Sequence, residues 1–141
     1  MSCGTGPQVN SALAVAMNVH RKDVVMPDLA WSFIGNTYSS RAEFERELRE
    51  AQHGAPLEPG ELVLLVPEVC VRYELQDDEG SQEEVTLRAD DGFAFSVGEL
   101  MFKLHNAVVA KLSEQDHHFF EGLRPIKGND KPPIYSLWLG S

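Results

Sequence analysis

Two stretches of the chain place apolar residues at helical spacing directly after a signal for the start of a helix. The first signal is the capping box at 40–43, in which the Ser40 hydroxyl accepts from the amide three residues on and the Glu43 carboxylate reaches back to the amide of the cap. Three apolar residues then recur at i, i+4 and i+7: Phe44, Leu48 and Ala51. This narrow stripe predicts a helix over 41–52 at the periphery of the fold.

A second capping box, at 96–99, predicts a longer helix over 97–112. Its apolar positions cover more than half of the helix circumference, which is typical of a central helix packed across a sheet. The strip left for water consists of Glu99, Lys103, Asn106 and Ala110. His105 projects between Leu112 and Val109, inside the apolar arc.

Alternation of apolar and polar residues predicts strands elsewhere in the chain. Residues 69–75 and 84–88 alternate on either side of a turn-forming loop at 76–82, which predicts a hairpin with one solvent-exposed face. The uninterrupted apolar run at 62–66 predicts a strand covered on both faces. Further strands are predicted at 11–19, 29–34 and 134–139, and one or two helical turns at 114–121.

These elements predict the α+β class, with a mostly antiparallel sheet of about five strands and the 97–112 helix packed on one of its faces. The length of 141 residues fits one domain over 11–141, preceded by a flexible terminus at 1–10. No apolar run approaches the roughly 20 residues that cross a bilayer, and the first residues lack a signal-peptide pattern. We therefore expect a cytoplasmic protein without a membrane partner.

Charge narrows the range of partners. The chain carries 22 acidic against 12 basic side chains, a formal net charge of −10, which disfavours direct binding to nucleic acid or anionic lipid. Much of the excess lies at 77–91, where only Arg88 opposes seven acidic residues: Asp77, Asp78, Glu79, Glu83, Glu84, Asp90 and Asp91. Such a run is usually a solvated hairpin end, and the alternative is a docking surface for a basic protein.

Motifs for cofactors and nucleophilic catalysis are missing from the sequence. Cys3 and Cys70 are too few and too far apart for a disulfide framework or a zinc knuckle, and we expect both to be reduced thiols. The serines lack a GxSxG elbow, and the glycines do not form a phosphate-binding loop with Lys and Ser or Thr. No cofactor and no catalytic residue is predicted.

His105 is the polar residue with the clearest chemical interest. In an apolar arc a neutral imidazole needs a hydrogen-bond partner, and the following segment offers four candidates: Asp116, His117, His118 and Glu121. Imidazole and carboxylate suit zinc, nickel or iron, but neighbouring histidines point in different directions and no metal-binding spacing is present. The alternatives are a core histidine bonded to a carbonyl or carboxylate, and a metal-free pocket.

The aromatic residues Phe119, Phe120 and Trp138 have two interpretations as well. They are ordinary buried anchors, or they form an exposed patch for a partner or for a homo-oligomer.

From charge we favour a non-enzymatic protein-interaction module, such as an immunity or adaptor protein that binds a basic partner. The alternative is a small ligand- or metal-binding protein or enzyme with its site around His105 and 116–121.

Overall fold

The computed structural model describes residues 24–76, 79–128 and 131–140. This part of the chain forms two helices, α1 (Arg41–Ala51) and α2 (Val97–Leu112), and six strands: β1 (Leu62–Leu64), β2 (Glu68–Glu74), β3 (Gln82–Arg88), β4 (Phe95–Ser96), β5 (Phe119–Pro125) and β6 (Ile134–Gly140). The predicted α+β class is confirmed. The strand predicted at 11–19 and the terminus at 1–10 lie outside the described residues.

Four strands form a mixed sheet in the order β3-β2-β6-β5. The outer pairs β2–β3 and β5–β6 are antiparallel, as predicted for most of the sheet, whereas the central pair β2–β6 is parallel. A parallel pair requires a long crossover, and here the connection from β2 to β6 includes α2. β1 and β4 pair separately as a short antiparallel ribbon.

Both helices begin at the predicted caps. The Ser40 hydroxyl accepts from the Glu43 amide at 3.1 Å, and the Ser96 hydroxyl accepts from the Glu99 amide at 3.2 Å. α1 buries Phe44 and Leu48, and α2 buries most of its circumference. The predicted peripheral and central helices are therefore confirmed, since α1 has one buried stripe and α2 is covered on most sides.

The core lies on one face of the sheet. Val69, Val71 and Tyr73 alternate along β2 toward this face and pack with α2 in one cluster of buried residues. Arg72 and Glu74, at the alternating positions, belong to the opposite face, which we call the outer face. Through the register of the ladders, Ser136 and Trp138 of β6 lie on this outer face too.

Two predicted strands differ from the structure. At 62–66 only Leu62–Leu64 is a strand, and it is not covered on both faces, because Leu62 is 57% and Leu65 75% exposed. The physical reason is that β1 pairs only with the two-residue β4 at the margin of the core. At 29–34 the backbone forms a single bridge, from Ser32 to Phe119, although Trp31 and Phe33 are buried.

Two details of the predicted helices also differ. Glu99 was expected to face water, but it is 6% exposed and its carboxylate accepts from the Asp90 amide at 2.6 Å and from Lys103 Nζ at 2.9 Å. The helical turns predicted at 114–121 are wrong, because the helix ends at Leu112, residues 114–118 form a turn and loop, and β5 begins at Phe119 and pairs with β6. Neither described helix has the length and apolar character that a membrane span requires.

Candidate functional site

His105 lies in the centre of the core and is fully buried. Trp31 Nε1 donates to its Nδ1 at 3.1 Å, so the ring proton is on Nε2, which donates to the Asn36 carbonyl at 2.9 Å. The rings of Phe33, Tyr38 and Phe44 surround the imidazole. Burial lowers the pKa of His105 below its ordinary value, because the charged form cannot be hydrated there.

The segment at 116–121 makes its hydrogen bonds elsewhere. The His117 amide donates to Gln76 Oε1 at 3.2 Å, and His118 Nδ1 lies 2.6 Å from the Gln115 carbonyl. Asp116 is exposed, and Glu121 lies beside Gly140 at the end of β6. His105 thus receives its partners from the 31–36 loop, and within the described ranges no three His, Cys, Asp or Glu side chains are grouped to hold a metal ion.

The acidic residues of 77–91 are divided between several surroundings. Asp77 and Asp78 lie outside the described residues. Glu83 contacts Lys111 of α2 at 2.6 Å, on the core side of the hairpin, whereas Glu84 contacts Arg72 on the outer face. Because neighbouring residues of a strand point to opposite faces, a run that is continuous in sequence is split in space.

The remaining acidic residues of this segment cluster near the start of α2 or lie at the hairpin tip. Asp90 contacts Lys103 at 2.7 Å and Arg41 at 3.8 Å. Asp91 accepts from the Phe93 and Ala94 amides at 2.8 and 3.0 Å, and these bonds lower its pKa because they favour the charged carboxylate. Glu79 is exposed. Several of the charges thus have partners within the chain.

β3 is an edge strand of the sheet, and two hydrogen bonds show which of its residues direct their N–H and C=O groups toward β2. The Leu75 amide donates to the Ser81 carbonyl and the Ala89 amide to the Pro67 carbonyl, both at 2.8 Å. Hydrogen-bonded pairs alternate along an antiparallel ladder, so the odd-numbered residues of β3 face β2. The even-numbered residues turn their N–H and C=O groups to the open edge: Gln82, Glu84, Thr86 and Arg88.

A groove of about 580 Å³ runs beside this edge, between β3 and α2. Leu87 and Phe102 form its apolar part, and Ala107 lies exposed on α2 next to them. Lys103, at one end, donates to the Arg88 carbonyl. In the described part of the chain β3 pairs with β2 alone, so an extended segment could lie along this edge and over the groove.

A second cavity, of about 450 Å³, lies where β2 and β6 separate. Their parallel pairing ends at Arg72 and Ser136, although both strands continue. The cavity is lined by Glu74, Gln76, Gln82, His117 and Trp138, among others. We call it the β2–β6 cleft. Of these residues the sequence singled out only His117 and Trp138, because the cleft depends on a parallel pairing that no local pattern predicts.

Comparisons with known proteins do not add to this geometry. A scan against models of protein families, a search of curated proteins and a search of solved structures each found no match.

Proposed function

We propose that the protein is a non-enzymatic interaction module that binds an extended, basic segment of a partner protein along the open edge of β3. The observation that carries this proposal is the row of outward backbone groups at Gln82, Glu84 and Thr86. An edge strand with free N–H and C=O groups is a template for one more strand, and the main-chain hydrogen bonds of such an addition supply affinity.

The side chains around the edge define what the added segment should carry. One side of an added strand would face the groove with Leu87 and Phe102, which favours apolar residues. The other side would face the outer surface beside Glu84, whose side chain remains half exposed although it contacts Arg72. Since side chains of a strand alternate, the preferred segment alternates apolar and basic residues.

The net charge supports the same choice. Residues 77–91 carry seven acidic side chains and one basic one, so this segment has a formal charge of −6 before its ion pairs with other elements are counted. Complementary charge accelerates association and orients the partner. The alternative site around His105 has less support, because that imidazole is fully buried and both of its ring nitrogens have protein partners.

The test uses a synthetic heptapeptide in which Lys and Val alternate, followed by amide NMR. We expect it to protect the Glu84 and Thr86 amides from exchange. The blocking variant is Thr86→Pro, which removes an outward N–H while keeping the ladder to β2, because proline is tolerated where the N–H faces away from the sheet. Thr86→Ala is the matched control, since it changes the side chain and retains the N–H.

We expect Thr86→Pro to abolish peptide binding and Thr86→Ala to retain it. Equal affinity in both variants would contradict strand addition. A third outcome is that the wild-type protein does not bind the peptide but associates with itself, and that Thr86→Pro abolishes this self-association. The segment added to β3 would then come from a second copy of the chain and not from a basic partner.

Salt and charge reversal test the electrostatic part separately. Affinity for the peptide should fall as ionic strength rises and should fall again in the triple variant Asp77→Lys, Asp78→Lys, Glu79→Lys. Glu50→Lys is the control, because Glu50 is an exposed acidic residue of α1, away from the hairpin. Affinity that responds to neither salt nor the triple change would eliminate a basic partner.

A further inference from the structure

The β2–β6 cleft is a polar cavity at the carboxyl ends of two neighbouring parallel strands. The Ile126 amide donates to the Ile134 carbonyl, so the even-numbered residues of β6 direct their backbone N–H and C=O groups toward β5. The odd-numbered residues of β6 therefore direct theirs toward β2. Beyond Arg72 and Ser136, the backbone groups of Glu74 and Leu139 therefore face the cleft. Crevices at the carboxyl ends of parallel strands are a recurrent position for ligands.

Trp138 stands at the boundary between this cleft and a neighbouring one. It lines the β2–β6 cleft of about 450 Å³ and also a cavity of about 490 Å³ beside Leu29 and Phe119. The Trp138 side chain is 43% exposed, and the Arg124 guanidinium lies 3.9 Å from the centre of its ring. The guanidinium stacks on one face of the indole, so the opposite face is the apolar platform that a ligand would contact.

Polar groups without protein partners accumulate beside this platform. In the described part of the chain, two buried side-chain nitrogens have no hydrogen-bond partner: His117 Nδ1 and Arg124 Nε. His117 lines the cleft and Arg124 contacts Trp138. Because buried polar atoms are nearly always satisfied, His117 Nδ1 is the nitrogen of this pair that a hydroxyl in the cleft would bond.

We infer that the two cavities that share Trp138 bind an uncharged oligosaccharide, with a sugar ring lying on the face of the indole opposite Arg124. The polar rim mixes an acceptor, Glu74, a donor, Arg72, and an amide that does both, Gln82. A hydroxyl is both donor and acceptor, so a ring with several hydroxyls can bond to a carboxylate, a guanidinium and an amide at once. Its C–H face supplies the apolar contact to Trp138.

The charges at the cleft oppose an anionic ligand. Arg72 is paired with Glu84, and Arg124 is stacked on Trp138. Glu74 adds an exposed carboxylate at the rim, which would repel a phosphate or a carboxylate. Two cavities that meet at one indole favour a chain of sugar rings over a single ring.

The experiment is an NMR titration of the whole chain with cellotetraose, maltotetraose, chitotetraose and adenosine. The sequence contains two tryptophans, of which Trp31 is buried, so the two indole signals separate a local effect from a global one. We expect at least one oligosaccharide to shift the Trp138 indole signal and to leave that of Trp31 unchanged. Adenosine should shift neither.

Variants then locate the site. Trp138→Ala should weaken the sugar about tenfold or more, measured by calorimetry because the reporter is lost, and Gln82→Ala should weaken it without touching the platform. Phe93→Ala is the matched control, since Phe93 is an aromatic residue that is 76% exposed and outside both cavities.

Three results would overturn the inference: no shift with any of the oligosaccharides at millimolar concentration, saturation by adenosine alone, or an affinity that Trp138→Ala and Gln82→Ala leave unchanged.

Discussion

The indole N–H of Trp31 donates to Nδ1 of His105 at 3.1 Å, across 74 positions of sequence. This bond determines the tautomer, because an Nδ1 that accepts leaves the proton on Nε2 for the Asn36 carbonyl. The imidazole thereby connects the 31–36 loop to the middle of α2. A histidine that is neutral, buried and bonded at both nitrogens is a structural part of the core.

His105→Ala should destabilise the fold. The change leaves a cavity among aromatic rings and removes the partners of the Trp31 N–H and the Asn36 carbonyl. From typical costs of core truncation and of unsatisfied buried groups, we expect a loss of about 3 kcal/mol or more in the free energy of unfolding. Urea denaturation followed by fluorescence measures it. His117→Ala, on the partly exposed loop, is the control and should cost less. Equal losses would contradict a structural role for His105.

Stability should also depend on pH through the same imidazole. The folded-state pKa of His105 lies below the unfolded value of about 6.5, so the folded protein binds fewer protons between the two. The free energy of unfolding is therefore highest above about pH 6.5, where His105 is neutral in both states. It decreases as the pH drops toward the folded-state pKa, and below that pKa His105 causes no further change. Its slope is at most about 1.4 kcal/mol per pH unit.

A non-titrating variant isolates this effect. In His105→Gln the side-chain amide can accept from Trp31 and donate to the Asn36 carbonyl, but it carries no charge at any pH of interest. The difference in unfolding free energy between wild type and His105→Gln, measured from pH 5 to 8, should therefore be constant above the unfolded pKa of about 6.5 and change as the pH falls below it. A difference that is constant over this range would disprove the pH dependence.

Local signals in the sequence were sufficient for the helices, the β2–β3 hairpin and the burial of His105. Ser40 and Ser96 cap the helices because a hydroxyl and a nearby amide are close in sequence, and such contacts leave a readable pattern. His105 was assigned to the core because the apolar arc surrounds its position on α2. Its partners could not be named, since Trp31 and Asn36 reach it only through the tertiary fold.

Tertiary context decided the rest. The apolar run at Leu62–Leu65 resembles a buried strand, but burial depends on what lies against it, and β1 has only β4 beside it. The parallel pairing of β2 with β6 joins residues more than sixty positions apart and creates the β2–β6 cleft. Likewise, the acidic residues near Glu83 and Glu84 are one block in sequence and two faces in space.

Gly122 is a position where the backbone requires glycine. It lies at the irregularity of the β5–β6 ladder, opposite Trp138, with φ at +124°. A Cβ there would lie 2.6 Å from Cγ1 of Val24 and 3.4 Å from the carbonyl oxygen of Val25, a residue that forms a β-bridge with Leu123 of β5.

Gly122→Ala combines a strained φ with a clash, so we expect a loss of about 1–3 kcal/mol in the free energy of unfolding. Gly60→Ala is the matched control, because its added methyl would meet no atom within 4 Å. Equal urea midpoints for the two variants would contradict this prediction. They would show that β5 can shift to accept the methyl group, and that the packing of Val24 and Val25 against β5 does not require glycine here.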